Sequence, residues 1–432
     1  MKKWLSLLLV LALVLPCVAA SADYANATVV NITEKRSITI HPAGENEVEP
    51  GISPTTGRDL DLLSLDLQEG ITGMALTGEY YPILVQHCGY AGDVHVGAPL
   101  YGSYADIYYV LPKSYAGHVR MMMVFNDFHP TYVGNSRSTR VGYLWIRQEW
   151  NAPYLYAGCQ PDSWSTKYNT DVDDAINKTL KIADKNVVFD GVNDGKWNNY
   201  HYRLTSSGYT SPYNFVWNLQ KMKNEVFSSA AEYNFPNHAF KFADGEPDSG
   251  DTANFVYVMY EKRKTIDKDD PNDVNKWYYF NTMFEYDEDE EVYYAYKISD
   301  LNDTQKDAVL FEERIIENPV VDKDGHLTGT VVTGEPITFS NIIVQCVDDP
   351  WTAGECPYPI LTGTGNAEYF IGGKHFSGVW NKPGTEVDGK RTVYYGEDGE
   401  EISLMPGRTI IFVMDAYSSN ETVTKTRELR YE

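Results

Sequence analysis

Tyr104-Ala105-Asp106-Ile107-Tyr108-Tyr109-Val110-Leu111, stopped by Pro112, is the stretch on which the fold turns. It is long enough for two helical turns, and a proline just past the end is a common helix stop. Read as a helix, it falls between two apolar runs of strand length, 81–88 (YPILVQHC) and 119–125 (VRMMMVF). Ser136 then offers an N-cap for a helix reaching about Trp150, with apolar residues at Val141, Leu144, Trp145 and Ile146. Residues 153–157 (PYLYA) read as a third strand. Strand, helix, strand, helix, strand with short joints predicts an α/β N-terminal domain over 55–235, a mixed or parallel-type sheet with flanking helices. Within it, residues 162–200 read as a polar insertion and 213–227, after Pro212, as a closing helix.

Outward from this region the character changes. Residues 23–54 alternate polar and apolar and hold Pro42 and Pro50, which reads as a leader and linker. From 236 to 418 the chain is rich in strand patterns: 255–260, 277–280, 292–296, 342–347, 368–371 and 409–413. Asp324-Gly325, Gly372-Gly373, Asp388-Gly389 and Asp398-Gly399 supply turns between several of them. A β-rich sandwich or barrel-like C-terminal domain is expected, followed by a polar tail over 419–432. The acidic run 287–291 reads as a solvated hairpin tip.

The first residues indicate place. Met1-Lys2-Lys3, an apolar run from Leu5 to Leu15, Pro16, and Ala20-Ser21-Ala22 before Asp23 make a secretory signal peptide over 1–22. The apolar run is about half the length a bilayer-spanning helix needs. Pro16 stands where lipid attachment at Cys17 wants a small residue, so the chain is expected as a secreted or cell-envelope protein without a transmembrane segment in its mature form. A formal net charge of −25 opposes nucleic acid, whose phosphates need cations. It also opposes docking on an anionic membrane surface.

Four cysteines remain beyond the signal: Cys88, Cys159, Cys346 and Cys356. An even count in an exported chain permits Cys346–Cys356 and Cys88–Cys159 disulfides, with free buried thiols as the alternative. His87, His129, Asp127, Cys88 and Cys159 do not have the spacing of a closed zinc site, so no metal is assigned. Nothing in the chain calls for a cofactor. There is no Gly-x-Ser-x-Gly elbow, Walker loop or His-Glu-x-x-His. Trp145, Trp164, Trp197, Trp217 and Trp380 suit ordinary packing better than a sugar-binding groove.

In an open α/β sheet, ligands bind beyond the C-terminal ends of the strands. The loop Gly134-Asn135-Ser136-Arg137-Ser138-Thr139-Arg140 leads from that edge into a helix N-terminus. Ser136, Arg137, Ser138 and Arg140 are therefore candidates for binding an anion, because a guanidinium fork bonds two oxygens of a carboxylate or phosphate. Pairing of Arg137 and Arg140 with Asp106 or Asp127 is the structural alternative. Asp106, Asp127 and His129 are candidates for a cleft. The leading expectation is a non-catalytic binder of a small anion or cell-wall fragment. A glycan hydrolase or transferase and a surface assembly partner are the rivals.

Several stretches resemble a known bacterial family. They are Phe284-Glu285-Tyr286-Asp287, the run 334–344 (GEPITFSNIIV), 363–367 (GTGNA), 378–382 (GVWNK), 398–402 (DGEEI) and 406–409 (PGRT). Ala105-Asp106-Ile107-Tyr108-Tyr109, the 134–140 loop and Pro212-Tyr213-Asn214-Phe215 resemble its N-terminal motifs more loosely. In order and spacing these are similar to the YerB-like family, built from a two-part domain of unknown function, and the resemblance covers roughly residues 55–418. It implies class and place more than mechanism. The chain departs from the family pattern at Val110, where an acid is usual, and at Tyr213, where histidine is usual. Near the family's second acid it has Ser114 or Tyr115, Arg120 is kept, and a lipobox is absent.

Overall fold

A computed structural model describes residues 26–432 apart from 45, 47–48, 67–69, 90–97, 114–118, 160–170, 207–208, 228–238, 244, 261–280, 299–308, 350–356 and 418–426. The expected signal peptide over 1–22, Cys17, Ser114, Tyr115, Trp164, the expected strand at 277–280 and Cys356 lie outside the described residues.

The molecule is predominantly β. Among the described residues, one sheet has eleven strands. Four come early in the chain: β1 (Ile83–His87), β2 (Ile107–Pro112), β3 (Val119–Phe125) and β4 (Tyr154–Tyr156). β5 (Val188–Asp190), β6 (Asp251–Thr252), β7 (Asn341–Cys346) and β8 (Gly363–Ile371) follow. β9 (Lys374–Lys382), β10 (Val393–Gly396) and β11 (Thr409–Met414) complete it. Their order is β6-β9-β8-β7-β11-β2-β3-β1-β4-β5, with β10 paired to β9. The pairs β7–β11, β11–β2, β1–β4 and β4–β5 are parallel, so the sheet is mixed, as expected of the N-terminal region.

The decisive stretch is a strand, which corrects the expected helix at 104–111. Gly102–Tyr104 is a short 3-10 turn, and β2 then runs between β3 and β11 with both edges bonded. Tyr108 and Val110 point into one core, and Ile107, Tyr109 and Leu111 into the other. A strand buried on both faces has no polar alternation to mark its pleat, so its sequence looks like any short apolar run.

One of those cores lies between the large sheet and a second sheet built on Phe255–Met259, Asn281–Asp287, Val292–Ile298 and Glu428–Tyr431. Phe284 of the second sheet meets Phe412 of β11 edge-on, ring centroids 5.8 Å apart. The other core is covered by α1 (Val141–Trp150), whose Trp145 and Trp150 are buried against the sheet. Trp197, Trp217 and Trp380 are buried too, so the described tryptophans are packing residues. The expected closing helix at 213–227 divides into a strand, Phe215–Asn218, and α2 (Leu219–Glu225). The Asn218 side chain caps α2 by accepting from the Lys221 N–H.

The stretches read as leader and tail are both built into the fold. Thr28–Val29 pairs with Glu428–Tyr431. Arg36 reaches the buried Glu368, and Arg427 pairs with the buried Asp415 at 2.6 Å. The boundary drawn between 235 and 236 lies outside the described residues, and the large sheet continues across it. Residues 288–291 form the turn of a hairpin, as expected of the acidic run. No helix among the described residues is long and apolar enough to cross a membrane.

Candidate functional site

The 134–140 loop is held in place by backbone bonds. The Leu100 N–H donates to Gly134 O at 2.7 Å, Cys88 N–H to Asn135 O at 3.0 Å, and Ser136 N–H to Phe215 O at 2.8 Å. Ser136, Arg137 and Ser138 of this loop line a cavity of about 250 Å³. Cys159, Arg203 and Phe215 are also among its walls. The Arg137 guanidinium sits 5.1 Å from the Tyr213 ring centroid and that of Arg203 5.0 Å from Phe215. Such stacking covers a face of the guanidinium and leaves the in-plane N–H groups for other partners.

Arg203 donates to Asn214 Oδ1 at 3.2 Å. Its pKa is lowered, by burial first and by the neighbouring Arg137 charge second. Behind the loop Arg120, 2% exposed, donates to Cys88 O at 2.5 Å. Burial, Arg140 and Arg137 together lower it to about 9. The Nε atoms of Arg120 and Arg137 are buried without a hydrogen-bond partner. No ion pair joins Arg137 or Arg203 to a carboxylate among the described residues, which sets aside the alternative of Arg137 pairing with Asp106 or Asp127. Asp190, close by, accepts instead from Gly158, Val192 and Asn193 N–H groups.

Arg140 is placed differently from Arg137. It is the N-cap residue of α1, 5% exposed, and donates to Thr139 O at 2.6 Å. Arg140, Val141 and Gly142 are not part of the cavity wall. The pocket is thus made by loop side chains and not by the open end of a helix. Arg203 was missed from sequence because its partner strand, Phe215–Asn218, reads as a helix there. Without that pairing, nothing in the sequence brings residue 203 beside residue 137.

Asp106 and Asp127 do converge, but beneath the surface. They are 2% and 1% exposed. Thr55 donates its hydroxyl to Asp106 at 2.8 Å, while Ser53 and Thr56 each donate to Asp127 at 2.6 Å. Asn126 and Asp127 N–H groups also point at Asp106. Burial, then the Asp127 charge, raises the Asp106 pKa well above the usual carboxylate range. His129 binds Tyr81 O at 2.9 Å, and no bond joins it to either acid among the described contacts. Its pKa is lowered to about 3 by burial first and Lys223 second. Among the described residues, then, His129 is not joined to the two acids, and all three are buried.

The expected Cys88–Cys159 disulfide is not formed, which corrects that pairing, while the expected partner of Cys346, Cys356, lies outside the described residues. Cys88 turns toward Gly89 O at 3.0 Å, and burial raises its pKa to about 11. Cys346 is inside the core at the end of β7. No group of three or more His, Cys, Asp or Glu among the described residues is arranged to hold a metal ion.

A second, larger cavity of about 780 Å³ lies beside β9, with His375, Ser377, Asp251 and Glu401 in its wall. His375 and Ser377 both bond the same Glu368 oxygen, at 3.0 and 2.8 Å, and Arg36 neutralises that carboxylate at 2.5 Å. A nucleophile relay needs a serine–histidine bond, and here both groups serve the carboxylate instead. Glu401 pairs with Arg391 at 2.9 Å and Asp251 accepts from Tyr431 at 3.1 Å, so these acids are internally satisfied. The smaller, cationic pocket is the better candidate.

Fold and pocket together define a class: two β-sheets packed face to face, with an arginine-lined cavity at one edge. Residues 95–232 match the N-terminal domain, and residues 273–411 the C-terminal domain, of the family described as protein of unknown function (DUF3048). The chain belongs to this YerB-like two-domain family. It is similar in fold to the crystal structure of YerB protein from Bacillus subtilis, with a TM-score of 0.55 at 15% identity, covering 85% of this chain and 97% of that one. No curated protein matches the chain.

Proposed function

We propose that this chain is an exported bacterial binding protein whose Arg137 pocket takes a small anion or the anionic end of a cell-wall fragment. One observation carries the reading: Arg137 and Arg203 share one small cavity, and neither is in an ion pair with a described residue. In a chain with 61 acidic side chains, two such guanidiniums side by side are costly unless an anion joins them. Export rests on the basic, apolar and small-residue pattern of 1–22, and it puts the ligand outside the cytoplasm. The rival reading, a glycan hydrolase or transferase using Asp106, Asp127 or His129, has little support, because these groups are buried and the acids are covered by residues 53–56.

A thermal-shift screen of the mature chain with phosphates, dicarboxylates, muropeptides and glycan fragments tests the reading. A ligand at 100 times its Kd stabilises by about 2.7 kcal/mol. The shift is expected for at least one anion and is lost in Arg137→Ala. No shift with any anion, or a shift unchanged by the substitution, refutes it.

A further inference from the structure

Resting on that reading, we infer that the Arg137 pocket selects a doubly charged phosphoryl group, such as the end of a phosphate monoester, over a carboxylate. Charge, donor geometry and size all support this choice.

Charge comes first. Arg137 and Arg203 line the cavity with Arg120 behind them, and after burial the Arg137 charge helps to lower the pKa of both Arg203 and Arg120. Cys159 and Asn193 also line the cavity, and the His201 ring lies tilted against Phe215 with ring centroids 4.3 Å apart. The nearby carboxylate, Asp190, spends Oδ1 on three backbone N–H groups and Oδ2 on Asn193. One carboxylate on a ligand neutralises one guanidinium, whereas a phosphoryl dianion neutralises both.

Donor geometry comes second. Arg137 enters from the 134–140 loop and Arg203 from the strand His201–Arg203, each stacked on a different ring. Ser138 adds a hydroxyl from the loop. A planar carboxylate satisfies one guanidinium fork and presents little to donors from other directions. Three oxygens spread about a tetrahedral phosphorus meet donors from several sides. Size comes third. A cavity of about 250 Å³ is below the usual range for a whole drug-sized ligand, so it suits a head group with its ester arm leading outward.

The test is isothermal titration of the mature chain with methyl phosphate, sulfate and succinate at pH 5.0 and 7.5. Methyl phosphate gains its second charge near pH 6. Its affinity is expected to rise several-fold, to a ceiling of about tenfold, between the two pH values, whereas sulfate, a dianion at both, binds equally. His201, lowered to about 4 by burial and then by Arg203, stays neutral throughout that range. Sulfate reports any contribution from Cys159, Asp190 or the arginines themselves. Arg137→Ala and Arg203→Ala, checked for folding by circular dichroism, are each expected to lose tenfold or more for methyl phosphate. Succinate binding tighter than methyl phosphate, with the arginine dependence kept, overturns the phosphoryl assignment and leaves the anion pocket standing. Equal methyl phosphate affinity at both pH values also overturns it. No binding of any of the three overturns both readings.

Discussion

Ile411 lies directly beside Tyr109 in parallel register, although one comes from near the end of the chain and the other from its first third. Their strands, β11 and β2, are the seam at which the two family domains join one sheet. The Thr409 N–H also donates to Asp106 O at 3.1 Å. Residues 55–235 expressed alone would leave β2 with a bare, fully apolar edge. That fragment is expected to aggregate or remain molten, while residues 23–432 together unfold in one cooperative step. Circular dichroism and calorimetry of the two check this.

Lys382 and Glu149 form a buried ion pair at 2.9 Å, tying β9 to α1. Glu149 also accepts from the Thr392 N–H and hydroxyl. Lys382→Met leaves that carboxylate buried without its cation, a change that costs about 3–5 kcal/mol. The double variant with Glu149→Leu is expected to recover much of the loss in urea unfolding.

His87 and His129 predict acid sensitivity. Burial lowers both to about 3, with Arg120 and Lys223 respectively as second causes. Between pH 6.5 and about 3 the unfolded chain therefore binds more protons than the folded one. The stability they contribute is complete above pH 6.5 and is lost as pH falls, by about 2 kcal/mol per histidine at pH 5. His129→Gln is expected to flatten the fall in unfolding free energy from pH 7 to pH 5.

Asp106 acts in the opposite sense. Its folded-state pKa is raised above the unfolded value of 3.8, by burial and then by Asp127. The folded chain keeps a proton that the unfolded chain has released, so this contribution is complete below pH 3.8 and is lost as pH rises through the folded pKa. Asp106→Asn is expected to lose less stability than the wild type between pH 4 and pH 8. Thr55→Val, which removes the hydroxyl donated to Asp106, is expected to cost about 1–3 kcal/mol.

The sequence was legible where its period was unambiguous. The strand patterns at 255–260, 292–296, 342–347, 368–371 and 409–413 fall on strands, and α1 ends where expected but starts at Val141, capped by Arg140 and not by Ser136. β2 was not legible, because a strand covered on both faces carries no alternation. The ends of the chain were misread for another reason: Arg36, Ser53 and Arg427 look like solvated polar residues until their buried acidic partners are known. In the site, Ser136, Arg137 and Ser138 were legible as one local motif. Arg203 was not, since a pairing with Phe215 across a misread strand is what brings it there.

A double-mutant cycle on sulfate affinity tests most directly the central claim that Arg137 and Arg203 grip one bound anion. The measurement is titration calorimetry of the wild type, Arg137→Ala, Arg203→Ala and the double variant. If both hold the same ion, each single change loses tenfold or more and the double variant loses clearly less than the product of the two. Losses that multiply fully in the double variant, or sulfate binding that no variant weakens, would contradict the account.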